Sequence, residues 1–196
     1  MTAKESTALV AKNDQLARKT PDRAALDFGQ AWAYAPAPES PDHVRIAPRY
    51  ELFIGGKWVA PQSGTYFDTI SPSTEQKLSE VAEANEQDVA AAVASARHAY
   101  EKYWSKLRPI ERGKYIYRIA RVIQEKAREL AIVESMDGGK PIKESRDVDL
   151  PLAAAHFFYY AGWADKLQYA FPARNPRALG VAGQVIPWNF PLLMAA

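Results

Sequence analysis

Hydrophobic and polar positions follow two different rhythms along this chain. Between Glu51 and Ala82 apolar residues come in short runs separated by turn residues. Glu51–Ile54 and Lys57–Val59 flank Gly55-Gly56, which predicts a small hairpin because glycine accepts the positive φ that a tight turn demands. Thr65–Ile70 and Lys77–Ala82 are predicted strands, with Ser71-Pro72-Ser73-Thr74 as the turn between them. From Asn85 the rhythm becomes helical. Asn85 is placed to cap, Glu86 and Asp88 suit the first turn, and Val89, Val93, Ala96, Tyr100 and Tyr103 mark one face. After Arg108-Pro109, Ile116, Ile119, Ile123, Ala127, Leu130 and Val133 predict one long amphipathic helix, ended by Gly138-Gly139 with Lys140-Pro141 beyond. A third helix is predicted over Ile142–Lys166, kinked near Pro151, with Leu152, Ala155, Phe158, Tyr159 and Gly162 as its apolar stripe. Gly180–Ile186 then reads as a buried strand of a parallel sheet, and Phe190 as the opening of the following helix.

Residues 1–49 have a different texture. Pro21, Pro36, Pro38, Pro41 and Pro48 are spaced by small and polar residues, a density that blocks continuous helix or sheet. The segment reads as a Pro-rich N-terminal extension, extended or partly disordered, with Phe28, Trp32 and Tyr34 as docking anchors. Residues 50–196 form the folded part in this reading.

Composition removes several classes of function. Hydrophobic residues make up 47% and charged residues 24% of the 196, as in ordinary globular proteins. The net charge of +2, with both signs interspersed, lacks the basic footprint of a nucleic-acid binder. No apolar run suits a membrane span or a secretory signal, so a cytoplasmic location is expected. The chain has no cysteine, hence no disulfide and no thiol nucleophile, and its three histidines lack metal-ligand spacing, so no metal site is expected.

Candidate chemistry concentrates near Val185-Ile186-Pro187-Trp188-Asn189-Phe190-Pro191. Two ring-locked prolines and a tryptophan make a stiff corner that can hold the Asn189 amide in one orientation, as a hydrogen-bonding site requires. Asn189 also suits the cap of the next helix, and Trp188 suits plain packing of the corner. Gly138-Gly139-Lys140 follows a helix instead of opening one and lacks phosphate-loop spacing, so it reads as helix termination.

That run resembles the Pro-Trp-Asn-Phe-Pro segment of NAD(P)-dependent aldehyde dehydrogenases. The likeness extends through Leu52-Phe53-Ile54-Gly55-Gly56-Lys57-Trp58, Asp137-Gly138-Gly139-Lys140-Pro141 and Tyr159-Tyr160-Ala161-Gly162-Trp163-Ala164-Asp165-Lys166, in the family's order. The resemblance implies an α/β fold, the N-terminal part of a Rossmann-type nucleotide-binding domain, truncated after its first core strand. It implies that Asn189 contributes to an oxyanion hole in the complete enzyme. Ile186, Pro187, Trp188 and Asn189 would lie along NAD or NADP. The family's nucleophilic cysteine and general-base glutamate belong after the segment where these residues end. The expected function is therefore that of a fragment of an oxidoreductase that converts an aldehyde to a carboxylic acid. Alone it is expected to be inactive and to bind dinucleotide weakly or not at all. The alternative is a non-catalytic binding or regulatory subunit that pairs with a full-length relative. The family's oligomer is a further expectation, weakened by the short connection from Lys166 to Gly180.

Overall fold

A computed structural model describes residues 39–196; Phe28, Trp32 and Tyr34 lie outside the described residues. The first element among the described residues is a 3-10 turn at Pro41–His43, with Ser40 as its cap. Strands follow at β1 (Arg49–Tyr50), β2 (Leu52–Ile54), β3 (Lys57–Val59), β4 (Tyr66–Ile70) and β5 (Lys77–Ala82). The helices are α1 (Glu86–Lys102), α2 (Pro109–Glu125), α3 (Ala127–Gly138), α4 (Ile142–Glu144), α5 (Leu150–Trp163), α6 (Leu167–Ala170) and α7 (Pro191–Ala195). A π-helical turn, Ser145–Asp149, joins α4 to α5.

The hairpin forms as expected. Gly55 and Gly56 both have positive φ, 63° and 78°, which matches the right-handed twist of β2 and β3. Phe53 pairs with Trp58 across it, ring centroids 5.0 Å apart. β4 and β5 are antiparallel, and β1 joins β5 on its other side in parallel, giving the order β1-β5-β4. Residues 39–49 hold one 3-10 turn and the first residue of β1, and side-chain contacts tie them to the rest of the described chain. Glu39 pairs with Arg128, the Ser79 hydroxyl donates to the Ala47 carbonyl, and Arg49 pairs with Glu80 across the β1–β5 ladder. Proline at Pro48 is tolerated because its carbonyl, not an N–H, serves the ladder, accepting from Glu80.

Asn85 caps α1, accepting from the N–H groups of Gln87 and Asp88, while the Asp88 carboxylate accepts from the Asn85 N–H to complete a capping box. Asp88 also accepts from the Gln62 N–H, which pins the loop between β3 and β4 to the helix and explains its burial. The expected apolar face of α1 is not buried: Val89, Val93, Tyr100 and Tyr103 are exposed, and the helix turns Asp88 inward instead.

The hydrophobic core lies among α2, α3 and α5. Ile123, Ala131, Leu150 and Ala154 form its centre, with Leu130, Ile142, Phe157, Phe158 and Leu192 packed against them. Gly113 lets α2 approach α5 closely, since a Cβ there would sit 3.0 Å from the Ala161 carbonyl oxygen. Two expectations are corrected here. The long helix is broken at Lys126 (φ −106°, ψ 12°), which separates α2 from α3 while Ile123 and Ala131 still meet in one core. On α5 the buried stripe is Leu150, Ala153, Ala154, Phe157 and Phe158, whereas Leu152, Ala155, Tyr159 and Gly162 are exposed. Nearly every residue from Leu150 to Trp163 is apolar, so periodicity could not select the face. The kink expected near Pro151 is the π turn just before it, which relieves the clash a proline ring makes with the carbonyl four residues earlier.

Gly180–Ile186 forms no strand. Its backbone has no ladder partner, and Leu179 and Val185 are about fully exposed (108% and 99%). A parallel strand needs neighbours on both sides to satisfy its N–H and C=O groups, and none of the described strands lies beside it. Among the described residues, no helix is long and apolar enough to cross a membrane.

Candidate functional site

The corner predicted from Pro187 to Pro191 is a turn at Trp188 and Asn189 leading into α7. Ile186 is half-buried, while Pro187, Trp188 and Asn189 are exposed. The cap of α7 is Phe190, without a side-chain cap bond, so Asn189 is not used as the helix cap that its residue type also suits. Among the described residues no hydrogen bond engages the Asn189 side-chain amide. An amide held on a turn and left uncommitted can donate to an incoming oxygen.

Two attachments hold the corner. Behind it, Leu192 of α7 reaches the core beside α5. Before it stands Lys140, whose Nζ donates to the Asn189 backbone carbonyl at 3.0 Å and lies 4.0 Å from the centre of the Phe190 ring. The same ammonium is paired with the Asp149 carboxylate at the end of the π turn. Lys140 is placed by its neighbours. Gly139 ends α3 in the left-handed region (φ 69°), confirming helix termination, and a Cβ there would come within 2.9 Å of Pro72. Glu134, on α3, is also buried, and it carries an oxygen without a hydrogen-bond partner, as does Asp149. Burial, then the adjacent Asp149 carboxylate, push the Glu134 carboxyl above its ordinary range, against the opposing pull of the Lys140 ammonium.

Glu134 and Asp149 escaped the reading of the sequence, and Lys140 entered it only as part of a helix terminus, although a signal was present. Ala127, Ala131 and Glu134 recur at helical spacing, which puts a carboxylate on an otherwise apolar stripe. Beside the corner, a cavity of about 590 Å³ is lined by Phe67, Thr69, Ile70, Val81, Asp137 and Trp188 among others. The Thr69 hydroxyl donates to the Asp137 carboxylate at its edge, tying β4 to the end of α3.

A dinucleotide cradle needs a glycine-rich turn opening a helix whose N–H groups face the pyrophosphate. Here α7 begins with Pro191, which has no N–H, and the residues just before Ile186 carry no regular structure and are exposed. The four candidate cofactor residues thus make one edge and no phosphate cradle.

Residues 58–196 match the model of the aldehyde dehydrogenase family. Acetaldehyde dehydrogenase 2 of Cupriavidus necator is 43% identical over 159 residues, covering 75% of this chain and 30% of that protein. Fluoroacetaldehyde dehydrogenase of Streptantibioticus cattleyicolor is 42% identical over 170 residues, covering 81% and 33%. The NAD+ complex of an aldehyde dehydrogenase from Bacillus cereus superposes with a TM-score of 0.64 at 34% identity, covering 75% of this chain and 32% of that one. The aldehyde dehydrogenase KauB from Pseudomonas aeruginosa gives 0.64 at 31% identity, covering 79% and 32%. These neighbours bear out the α/β fold class. The chain spans about a third of the length of the curated relatives it matches (30% and 33%). By motif, by family match and by fold, the chain belongs to the aldehyde dehydrogenase family.

Proposed function

We propose that this chain carries the carbonyl-polarising corner of an NAD(P)-dependent, aldehyde-oxidising protein, with Asn189 as the donor. The supporting observation is the uncommitted Asn189 amide on a turn anchored at both ends. As a nucleophile attacks an aldehyde, charge grows on the carbonyl oxygen, and a preplaced amide N–H stabilises it more than it stabilises the ground state. Ile186, Pro187 and Trp188 form the neighbouring edge toward the cofactor. These 196 residues hold no cysteine, so the chain by itself supplies no thiol nucleophile. We therefore expect no turnover from it alone, and little or no affinity for NAD or NADP.

A chimaera in which residues 58–196 replace the matching part of the Cupriavidus necator enzyme tests the role of Asn189. Asn189→Ala in that chimaera should lower kcat by ~10²–10³; an unchanged kcat sinks the reading. Clear NAD(P)-dependent oxidation of an aldehyde panel by the 196-residue chain itself overturns the expectation of inactivity.

The exposed Leu179, Val185 and Trp188 favour a second reading, a non-catalytic subunit that pairs with a full-length relative or with itself. Co-elution of the chain with such a relative supports it, and a chain that stays monomeric in the mixture rejects it.

A further inference from the structure

We propose that Lys140 is a positioning residue for Asn189, gripping the corner through the Asn189 carbonyl while its ammonium is itself held by Asp149. The inference rests on the reading of Asn189 given above. An ammonium has three N–H donors, and three acceptors surround this one: the Asp149 carboxylate, the Asn189 carbonyl at 3.0 Å and the face of Phe190 at 4.0 Å. The Lys140 side chain is 12% exposed and that of Asp149 1%, so little water competes for their ion pair, while the contact to the Asn189 carbonyl lies at the surface.

The stem is aimed as well as the head. Lys140 stands between Gly139, locked in the left-handed region, and Pro141, whose ring restricts the residue before it. Asp149 sits at the junction of the π turn and α5, in the most buried part of the chain. Glu134, facing the pair, has its carboxyl pushed above the ordinary range by burial and by Asp149, against the pull of the Lys140 ammonium. Fixing the Asn189 carbonyl fixes the plane of the peptide bond that follows it, which contains the Asn189 Cα and so anchors the point from which the side chain leaves the backbone. No other hydrogen bond from the helical body reaches residues 187–189 among the described residues.

The test uses nuclear magnetic resonance on the full 196-residue chain. In the wild type, the Lys140 ammonium protons should exchange slowly enough to be observed, unlike those of exposed lysines. In Lys140→Met, the Asn189 side-chain amide and the Trp188 indole should move toward free-peptide positions, while the methyl resonances of Leu150 and Ile123 stay put. Asp149→Asn should give an intermediate shift. Unchanged Asn189 and Trp188 resonances in Lys140→Met overturn the proposal. If that variant fails to fold, a Lys140 ammonium in the wild type exchanging as fast as the exposed lysines overturns it too. In the chimaera, Lys140→Met should lower kcat by up to ~10²-fold, with a smaller change in KM. If Asn189→Ala is silent there while the resonance effects persist, the oxyanion reading falls and the grip on the corner stands.

Discussion

Residues 109–163 and residues 171–190 are both rich in apolar side chains, yet the first region builds a core and the second lies exposed. The difference is in the backbone. A helix closes its own N–H and C=O groups, so α2, α3 and α5 need only one another to bury Ile123, Ala131 and Leu150. A strand must borrow its partners, and Gly180–Ile186 has none among the described residues. The same hydrophobic content therefore stabilises one region and leaves the other as unfilled surface.

Substitutions can break or sharpen this contrast. The largest effect should come from Leu150→Ala, at a side chain 1% exposed in the helical centre, which should cost ~2–5 kcal/mol by urea denaturation. A cost near that of a surface change would mean that the helices do not form one cooperative core. Gly139→Ala, at the end of α3, should cost about 1–3 kcal/mol, because φ is positive and the added Cβ meets Pro72. Glu134 should make stability depend on pH. Its carboxyl is raised in the folded state, so the native chain holds the proton longer. Its stabilisation is complete below the ordinary glutamate range and fades as pH rises through the raised value. Glu134→Gln should flatten that decline in a series of urea midpoints; a slope that persists assigns it to other groups. The smallest effect belongs to Val185→Ala, within about 0.5 kcal/mol, since its side chain is 99% exposed. A larger loss there would reveal a strand pairing in solution.

Much of this was legible in the residues. The Gly55-Gly56 hairpin, the Asn85 cap and the Gly139 stop are local, decided within a few residues by φ, by an amide or by a missing Cβ. The family was legible too, because four blocks kept their order. Which face of α5 is buried was not, for an almost uniformly apolar helix takes its orientation from its partners. β1 escaped because a strand of two residues carries no period, and it exists through its pairing with β5. At the site, the corner was visible as a stiff motif, but the grip of Lys140 on it spans 49 positions along the chain. Such a contact belongs to packing, which no local pattern encodes.

The π turn at Ser145–Asp149 can also be seen as a matter of phase. A π turn carries one residue more than an α turn would, so it offsets the two helical stretches it joins by roughly 100°. Deleting a single residue between Ser145 and Asp149 would thus act less as a shortening than as a rotation. With α5 locked by Leu150, Ala153 and Ala154, the piece that turns is α4, and with it the stem of Lys140. The alignment of a lysine with a carbonyl across the molecule is thus set by the length of a helical turn that touches neither Asn189 nor its neighbours.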